Sequence, residues 1–486
     1  MAFTVSSLAK LAGGRVHGEG AVTVDSVTLD SREVTATGLF AALPGTRAHG
    51  ASFAADTPAA AVLSDAAGVA LLTQTPGFDR PIIEVEDIRA VLGLVAAEVY
   101  GHPTRDMTVI GITGTSGKTT TSYLVEAGLL EAGHCVGLIG TTGTRINREP
   151  VPTKLTTPEA PRLQELFATM KSRNVTHVVM EVSSHALELG RVVGTEFDVA
   201  GFTNLSQDHL DFHPTMGEYF AAKEKLFHGL RAAVICVDDE WGQKLHQSVA
   251  APTTTVATTG AADVQARTVA VEASGAQEVE LNGHTRFRLP LPGPFNVANA
   301  ALAIGLADAV GADRESFIRG LEGVAVPGRM ERIDRGQDFI AVVDYAHKPA
   351  AVAAVLDTLR EQLGDTGRIG IVVGAGGDRD SAKRAVMGAN AAQRADLVIV
   401  TDDNPRTEDP AAIRAEVLSG ARGHQAKVVE VASRAQAIAE LVAWAGPGDA
   451  VIVVGKGHEV GQIYGSETLP FDDREEMARA LSAKES

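Results

Sequence analysis

The stretch 107–121, MTVIGITGTSGKTTT, constrains this chain more than any other. Val109-Ile110-Gly111-Ile112 is an apolar, strand-like run. The chain then breaks into Thr113-Gly114-Thr115-Ser116-Gly117 and resumes at Lys118 with residues that suit a helix. A strand, a glycine turn and a helix N-terminus aim consecutive backbone N–H groups and the positive end of the helix dipole into one small space, which suits a polyphosphate. In such a cradle, built from Gly114, Thr115, Ser116, Gly117 and Thr120, Lys118 reaches the terminal phosphates and the Thr119 hydroxyl ligates Mg²⁺. The spacing departs from G-x-x-x-x-G-K-[ST]: Ile112 stands where the first glycine belongs, and glycines fall at 111, 114 and 117. The strand before and the helix after favour nucleotide binding over a plain βα turn with a solvated lysine.

A loop of this kind needs an α/β unit around it, and 486 residues suffice for about three domains with full cores. Many of the 50 glycines follow short Val/Ile runs, as the βα turns of an α/β protein with parallel sheets require. A net charge of −18 argues against nucleic acid and anionic membrane surfaces as general partners, although a few local arginines can hold an anionic substrate. Cys135 and Cys236 are too few for a disulfide framework or a zinc site, and read as buried small hydrophobes in a reducing cytoplasm. The opening residues MAFTVSSLAKLAGGRV lack a charged leader before an apolar core, so no signal peptide is expected. No apolar run approaches the roughly 18 residues of a membrane span. A cytoplasmic monomer is the expectation.

Residues 1–106 read as a small α/β domain. It has a short helix at Ser7-Leu8-Ala9-Lys10-Leu11-Ala12, strands at Val22-Thr23-Val24, Val27-Thr28-Leu29 and Ile83-Glu84-Val85, a strand ending in a turn over 38–45, and a helix over 88–100. Gly101-His102-Pro103-Thr104 reads as a linker, because proline and the residue before it resist helix. The second domain, 107–327, adds the strands 176–181 and 199–203, each ending in a polar cluster. Ligands of open parallel sheets sit at such carboxyl ends, which draws Glu181, Ser183 and the segment 204–209 toward the phosphate loop. The stretch 251–292 reads as an antiparallel addition before a helix over 297–309. After a linker at Val324-Ala325-Val326-Pro327-Gly328, the third domain, 328–486, alternates helices with strands at 339–343, 369–373, 397–400 and 451–454. That alternation predicts a second, Rossmann-like parallel sheet.

Glu181, leaving a buried strand, suits an acidic Mg²⁺ partner opposite Thr119. Asp208-His209-Leu210-Asp211-Phe212-His213 mimics a zinc cluster but is by itself an ordinary polar loop. Lys223 is electrostatically wrong beside a metal unless its amine is carbamylated; otherwise it reads as a helix-surface lysine. Asn296 and Asn299 share a face at a helix start, where amides meet an adenine edge or cap the helix. In the third domain Asp344-Tyr345-Ala346-His347-Lys348-Pro349, Gly376-Gly377-Asp378-Arg379-Asp380, Asp403-Asn404-Pro405-Arg406 and Gly455-Lys456-Gly457-His458-Glu459 all follow strands. So many polar turns at one sheet edge are hard to explain by loop chemistry alone.

In chain order LDSR, TGTSGKTT, TTPE, EVSSHAL, NLSQDHLDFH, AAKEKLF, GPFNVANA, GRMER, DYAHKP, GGDRD, DNPR and GKGHE together resemble the Mur ligases, and within them the MurE type. The resemblance spans essentially the whole chain and implies three domains, binding in turn UDP, ATP and an amino acid. It implies Ser31 as a UDP-sugar contact, and Thr156, Thr157, Ser183 and Arg191 as contacts to the muramoyl dipeptide. It implies Lys223 as N6-carboxylysine, with Thr119, Glu181 and His209 around Mg²⁺, and Asn296, Asn299, Arg329 and Asp344 as nucleotide contacts. Lys118, Lys223 and His209 are the catalytic candidates. The implied reaction belongs to peptidoglycan precursor synthesis. A carboxylate of UDP-MurNAc-L-Ala-D-Glu takes the γ-phosphate of ATP to give an acyl phosphate and ADP, and an incoming amine then displaces phosphate. DNPR implies meso-diaminopimelate over L-lysine: Arg406 offers a planar fork for the distal carboxylate and Arg379 a second guanidinium. Glu459 can accept the distal ammonium, and Asp403, Asn404, Pro405 and Gly455 complete the pocket. One departure is Leu189, where several relatives carry glutamine two residues before the arginine. A folylpolyglutamate synthase shares the chemistry, but LDSR and DNPR count against it. A nucleotide-switched binding protein would need the loop but none of the other motifs.

Overall fold

The apolar runs become buried strands, and three sheets carry the chain. The structure is a computed structural model that describes residues 2–484 except Thr46, Lys154 and Asp365. The first sheet has five strands in the order Arg15–His17, Ile82–Glu84, Ala61–Ser64, Gly38–Ala41, Ser26–Thr28. All its pairings are parallel except that of Arg15–His17. The helices Val5–Leu11 and Ile88–Val99 bury Leu8, Leu92 and Val95 against Leu39, Leu63 and Ile83.

The second sheet has eleven strands. Its centre runs Val136–Gly140, His177–Glu181, Thr108–Thr113, Val199–Phe202, Ala232–Cys236, Thr253–Ala257, each parallel to the next. An antiparallel hairpin closes one edge, and Val264–Val271, Gln277–Leu281 and Thr285–Leu289 extend the other. The expectation that 251–292 is wholly antiparallel therefore needs correcting. Thr253–Ala257 continues the parallel sheet, because helix Pro294–Val310 covers it and buries Val256 within the same apolar cluster.

The third sheet orders Glu331–Arg332, Ile340–Asp344, Ala450–Val454, Ile369–Val373, Leu397–Val400, Lys427–Glu430, with only the first pair antiparallel. Helices Pro349–Leu363, Ala382–Arg394 and Pro410–Ala421 contribute to the apolar layer on one face, and Arg434–Trp444 and Asp473–Lys484 to that on the other. Between those last two helices Arg434 and Asp473 form a fully buried ion pair at 2.7 Å. The hairpin of Val460–Tyr464 and Glu467–Asp472 lies outside this sheet. Among the described residues no helix is long and apolar enough to cross a membrane.

Candidate active site

The phosphate loop leaves the carboxyl edge of the second sheet between the strands ending in Glu181 and Phe202. At Gly117 (φ 88°) a Cβ would lie 2.3 Å from Asn299 Oδ1, and at Gly114 (φ 144°) 1.8 Å from Thr203 Oγ1. Neighbours thus stand where any side chain would be, and only glycine closes this turn. Asn299 Oδ1 accepts from the Thr121 hydroxyl at 3.4 Å, and its amide donates to Asn296 Oδ1 at 3.1 Å. Asn296 donates to the Pro292 carbonyl at 2.7 Å. Asn299 thus ties the helix Pro294–Val310 to the loop, and Asn296 braces Asn299.

Glu181 is buried opposite the loop. It accepts from Thr119 Oγ1 at 3.1 Å and from the Thr141 N–H and hydroxyl at 2.8 and 3.0 Å. A hydroxyl facing a carboxylate offers the hard oxygen donors that Mg²⁺ takes alongside waters and substrate phosphates, so these residues fit that ion. Thr157 donates to the Glu181 carbonyl at 2.9 Å and accepts from the Ser183 N–H at 3.2 Å, while the Thr156 and Thr141 hydroxyls lie 3.2 Å apart. Arg191 pairs with Glu159 at 2.8 Å and donates to the Thr157 carbonyl at 3.3 Å. Thr156, Thr157, Ser183 and Arg191 are therefore one network with Glu181. The carbonyl of Leu189 accepts from Arg89 of the first sheet's helix at 3.2 Å. Ser31 stands apart, past the edge strand Ser26–Thr28 and between the ion-paired Asp30 and Arg32.

Ammonium groups gather on the loop's carbonyls. Lys118 donates to Gly114 O and Thr115 O at 2.8 and 3.1 Å, and Lys223 donates to the same Gly114 O at 2.8 Å. Burial, then the charge of Lys348, pushes Lys118 down to about 8. Burial, then Lys118, drives Lys223 well below the ordinary lysine value. Lys223 is 2% exposed, so the helix-surface reading is corrected: its amine lies inside, 4.5 Å over the Tyr219 ring. His209 lies 3.1 Å from Asp208, and burial pushes it down to about 3, leaving a neutral imidazole with a lone pair to offer.

The third sheet docks its polar turns here. Arg329 donates to Thr119 Oγ1 at 3.1 Å with its guanidinium 4.4 Å over the Tyr345 ring, and His458 Nε2 lies 3.2 Å from the Thr141 carbonyl. Asp344 accepts from the backbone N–H groups of Met330 and Ala346 at 2.7 Å each, fixing the chain beside Arg329. Lys348 pairs with Asp208 at 2.7 Å. Burial works to raise Asp208, but the charge of Lys348, then that of His209, holds it well below the carboxylate range. Sequence reasoning gave neither Lys348 nor Asp208 a role. Each lies within a recognised motif, but nothing in either stretch points to the other.

Farther along that edge two turns are sewn together. Gly377 N–H donates to Asn404 O at 2.9 Å, and Thr407 N–H and Oγ1 donate to Asp378 at 3.2 and 2.7 Å. Arg406 has a left-handed backbone, φ 53°, clamped by the hairpin: its N–H donates to Ile463 O at 3.0 Å and its carbonyl accepts from Gly465 at 2.6 Å. Its guanidinium donates to the Gly377 carbonyl at 2.7 Å. The carboxylates a turn arginine would ordinarily take are spent elsewhere, Asp402 on Arg414 and Tyr464, Glu408 on Arg384. Among the described residues neither Arg406 nor the exposed Arg379 forms an ion pair. Asn404 donates to Glu459 at 3.1 Å, Tyr345 OH donates to Glu459 at 3.2 Å, and burial pushes Glu459 up. Asp403 fills the space a Cβ on Gly455 would need, 2.4 Å away. Asp403, Asn404, Pro405, Arg406, Gly455 and Glu459 are thus gathered at one spot.

Family-level comparison matches residues 23–100 to the Mur ligase family catalytic domain, 112–307 to the Mur ligase middle domain, and 328–457 to the Mur ligase glutamate ligase domain. The chain belongs to the Mur ligase family. This Mur ligase is 59% identical to the UDP-N-acetylmuramoyl-L-alanyl-D-glutamate–2,6-diaminopimelate ligase of Corynebacterium glutamicum, over 97% of this chain and 94% of that one. It is 47% identical to the protein of that name from Streptomyces coelicolor, over 98% and 97%. A solved structure of that name superposes with a TM-score of 0.68 at 30% identity, covering 100% of both chains. MurF from Acinetobacter baumannii shares the fold at TM-score 0.67 and 18% identity, over 93% of this chain and 95% of its own. A Mycobacterium tuberculosis folylpolyglutamate synthase does so at TM-score 0.60 and 20% identity, but over only 74% of this chain and 91% of its own.

Proposed function

We propose that this ligase joins meso-diaminopimelate to UDP-MurNAc-L-Ala-D-Glu with ATP, in peptidoglycan precursor synthesis, through an acyl phosphate and with release of ADP and phosphate. The carrying observation is the likeness, nearly end to end at 59% identity, to a relative so named. A folylpolyglutamate synthase likeness leaves about a quarter of the chain unmatched.

In this reading 1–106 binds the UDP-sugar through Ser31, 107–327 binds ATP, and 328–486 binds the amino acid. A dipeptide carboxylate and a triphosphate repel each other, so positive charge has to hold both in line. Lys118 unfolds from its own loop's carbonyls onto the terminal phosphates, and Arg329 adds a guanidinium from the third unit. Thr156, Thr157, Ser183 and Arg191 orient the acceptor beside Glu181. Thr119 and Glu181, with His209, would hold Mg²⁺, which would supply charge neutralisation between the two anions. The carboxylate oxygen attacks the γ-phosphorus and ADP leaves; the amine nitrogen then attacks the acyl carbon, and phosphate leaves with the bonding pair. Turns docked from the third unit exclude water that would hydrolyse the acyl phosphate.

Lys223 enters as a carbamate. Burial, then the charge of Lys118, favours the uncharged amine at Lys223, whose nitrogen lone pair can attack CO₂ and, on losing a proton, become a carbamate with anionic oxygen donors. That form suits a pocket where the ammonium form would face Lys118.

The test is a panel of amino acids offered with UDP-MurNAc-L-Ala-D-Glu and ATP, with product mass and ADP as readouts. Diaminopimelate alone should give strong, acceptor-dependent product. Ligation of glutamate to a folate, or ADP release independent of the acceptor, would overturn the reading.

A further inference from the structure

We propose that Lys348 is a further catalytic residue, a cation that the third sheet's unit lends to the phosphoryl-transfer site by docking. The inference rests on the ligase reading above. Lys348 is the N-cap residue of helix Pro349–Leu363 and its side chain makes no cap bond there; it reaches out of its own unit instead. Its ammonium lies 3.2 Å from Thr115 O, the same carbonyl that Lys118 Nζ meets at 3.1 Å. Lys118 and Lys223 in turn share Gly114 O. Three lysine Nζ atoms thus converge on two adjacent carbonyls of the phosphate loop, two of them, Lys118 and Lys348, as cations, with Arg329 on Thr119 one turn away.

Lys118, Lys348 and Arg329, three cations in so small and dry a space, need anions. Asp208, which His209 also uses, pairs with Lys348, and Glu181 faces Thr119 and Thr141. Lys118 and Lys223 have no ion-pair partner among the described residues. Close-packed like charges of this kind are unfavourable unless a polyanion is to be held. A backbone carbonyl shared by Lys118 and Lys348 is a poor final acceptor for two full charges. A γ-phosphate entering the loop meets both, and the ion pair with Asp208 holds Lys348 aimed at the loop until it does. Because Lys348 belongs to the unit that carries the amino-acid turns, charge complementarity at the phosphate is complete only when that unit is docked.

The test compares full-length Lys348→Met, Lys348→Thr and Lys348→Arg with wild type, reading kcat, KM for each substrate, and melting temperature. Loss of one preorganised charge from a water-poor site costs ~100-fold in rate. Both neutral variants should lose about that in kcat, with KM for diaminopimelate within threefold and melting unchanged, and Lys348→Arg should recover at least a tenth of wild-type kcat. A kcat within threefold of wild type in either neutral variant overturns the proposal. So does a loss carried by KM for diaminopimelate or by lowered melting, or an arginine variant no better than methionine. Failure of wild type to use diaminopimelate at all refutes the ligase reading instead, so the two failures are distinct.

Discussion

Replacing Arg406 by alanine should collapse the discrimination between diaminopimelate and lysine. The two amino acids differ by one carboxylate at the far end of the side chain. Arg406 donates to the Gly377 carbonyl, and the neighbouring carboxylates Asp402 and Glu408 are already committed to Arg414 and Arg384. Its remaining N–H groups are thus available for a bidentate pair. Two charge-assisted hydrogen bonds at a half-buried site stabilise by ~3–4 kcal/mol, and each ~1.4 kcal/mol is tenfold, giving ~10²–10³ in kcat/KM. Alanine meets the same backbone penalty at φ 53° as arginine, so the turn itself is not asked to change. The assay is kcat/KM for both amino acids in wild type, Arg406→Ala and Arg406→Lys. Arg406→Ala should lose ~100-fold or more on diaminopimelate and little on lysine, with Arg406→Lys between, since an ammonium keeps the charge without the fork. Comparable use of lysine by wild type, or unchanged selectivity in Arg406→Ala, refutes the reasoning.

Lys118→Ala should fold and lose at least ~100-fold in ligation, measured as ADP release, because it removes the loop's own cation. The same variant tests the strain of holding that charge. Lys118 falls from 10.5 to about 8 on folding, so its penalty is fully present below pH 8 and fades toward pH 10.5. Any gain in melting temperature by the nucleotide-free variant should therefore be largest below pH 8. Lys223→Ala should be nearly inactive and partly rescued by a short carboxylic acid; mass evidence for an unmodified lysine in fully active enzyme would rule out the carbamate. Arg434→Ala should destabilise the third unit by ~3–5 kcal/mol in denaturant, because Asp473 is left buried and unpaired.

Local signals gave the strands well where both faces are buried. Ile369–Val373 and Leu397–Val400 are continuous Val/Ile-rich runs, and their bounds follow the hydrophobicity. Lys427–Glu430 escaped because it is a short, half-exposed edge strand whose apolar residues number only two. The hairpin over 460–472 escaped because Gly461, Gly465 and Pro470 read as loop. In the site, motifs located the turns but not their pairings. Thr119 opposite Glu181 was readable because both leave adjacent strands of one sheet. Lys348 opposite Asp208 was not, because the docking of two separately folded units brings them together. The fate of Asn299 depended likewise on Gly117 leaving room for its amide.

The clamp of Asp344 on Met330 and Ala346 has a consequence for what moves. It fastens the start of the third unit to its own sheet, so Arg329 is part of that body rather than of the linker before it. Gly328 belongs to that body too: it sits at φ 63° against Gly457 and His458, an approach open to it because it has no Cβ, and its N–H donates to Glu331 at 2.6 Å, so a pivot falls in the segment before it. A swing there would withdraw Arg329, Lys348 and His458 together. ADP would then face a half-neutralised cradle, and product escape and opening would be one event rather than two.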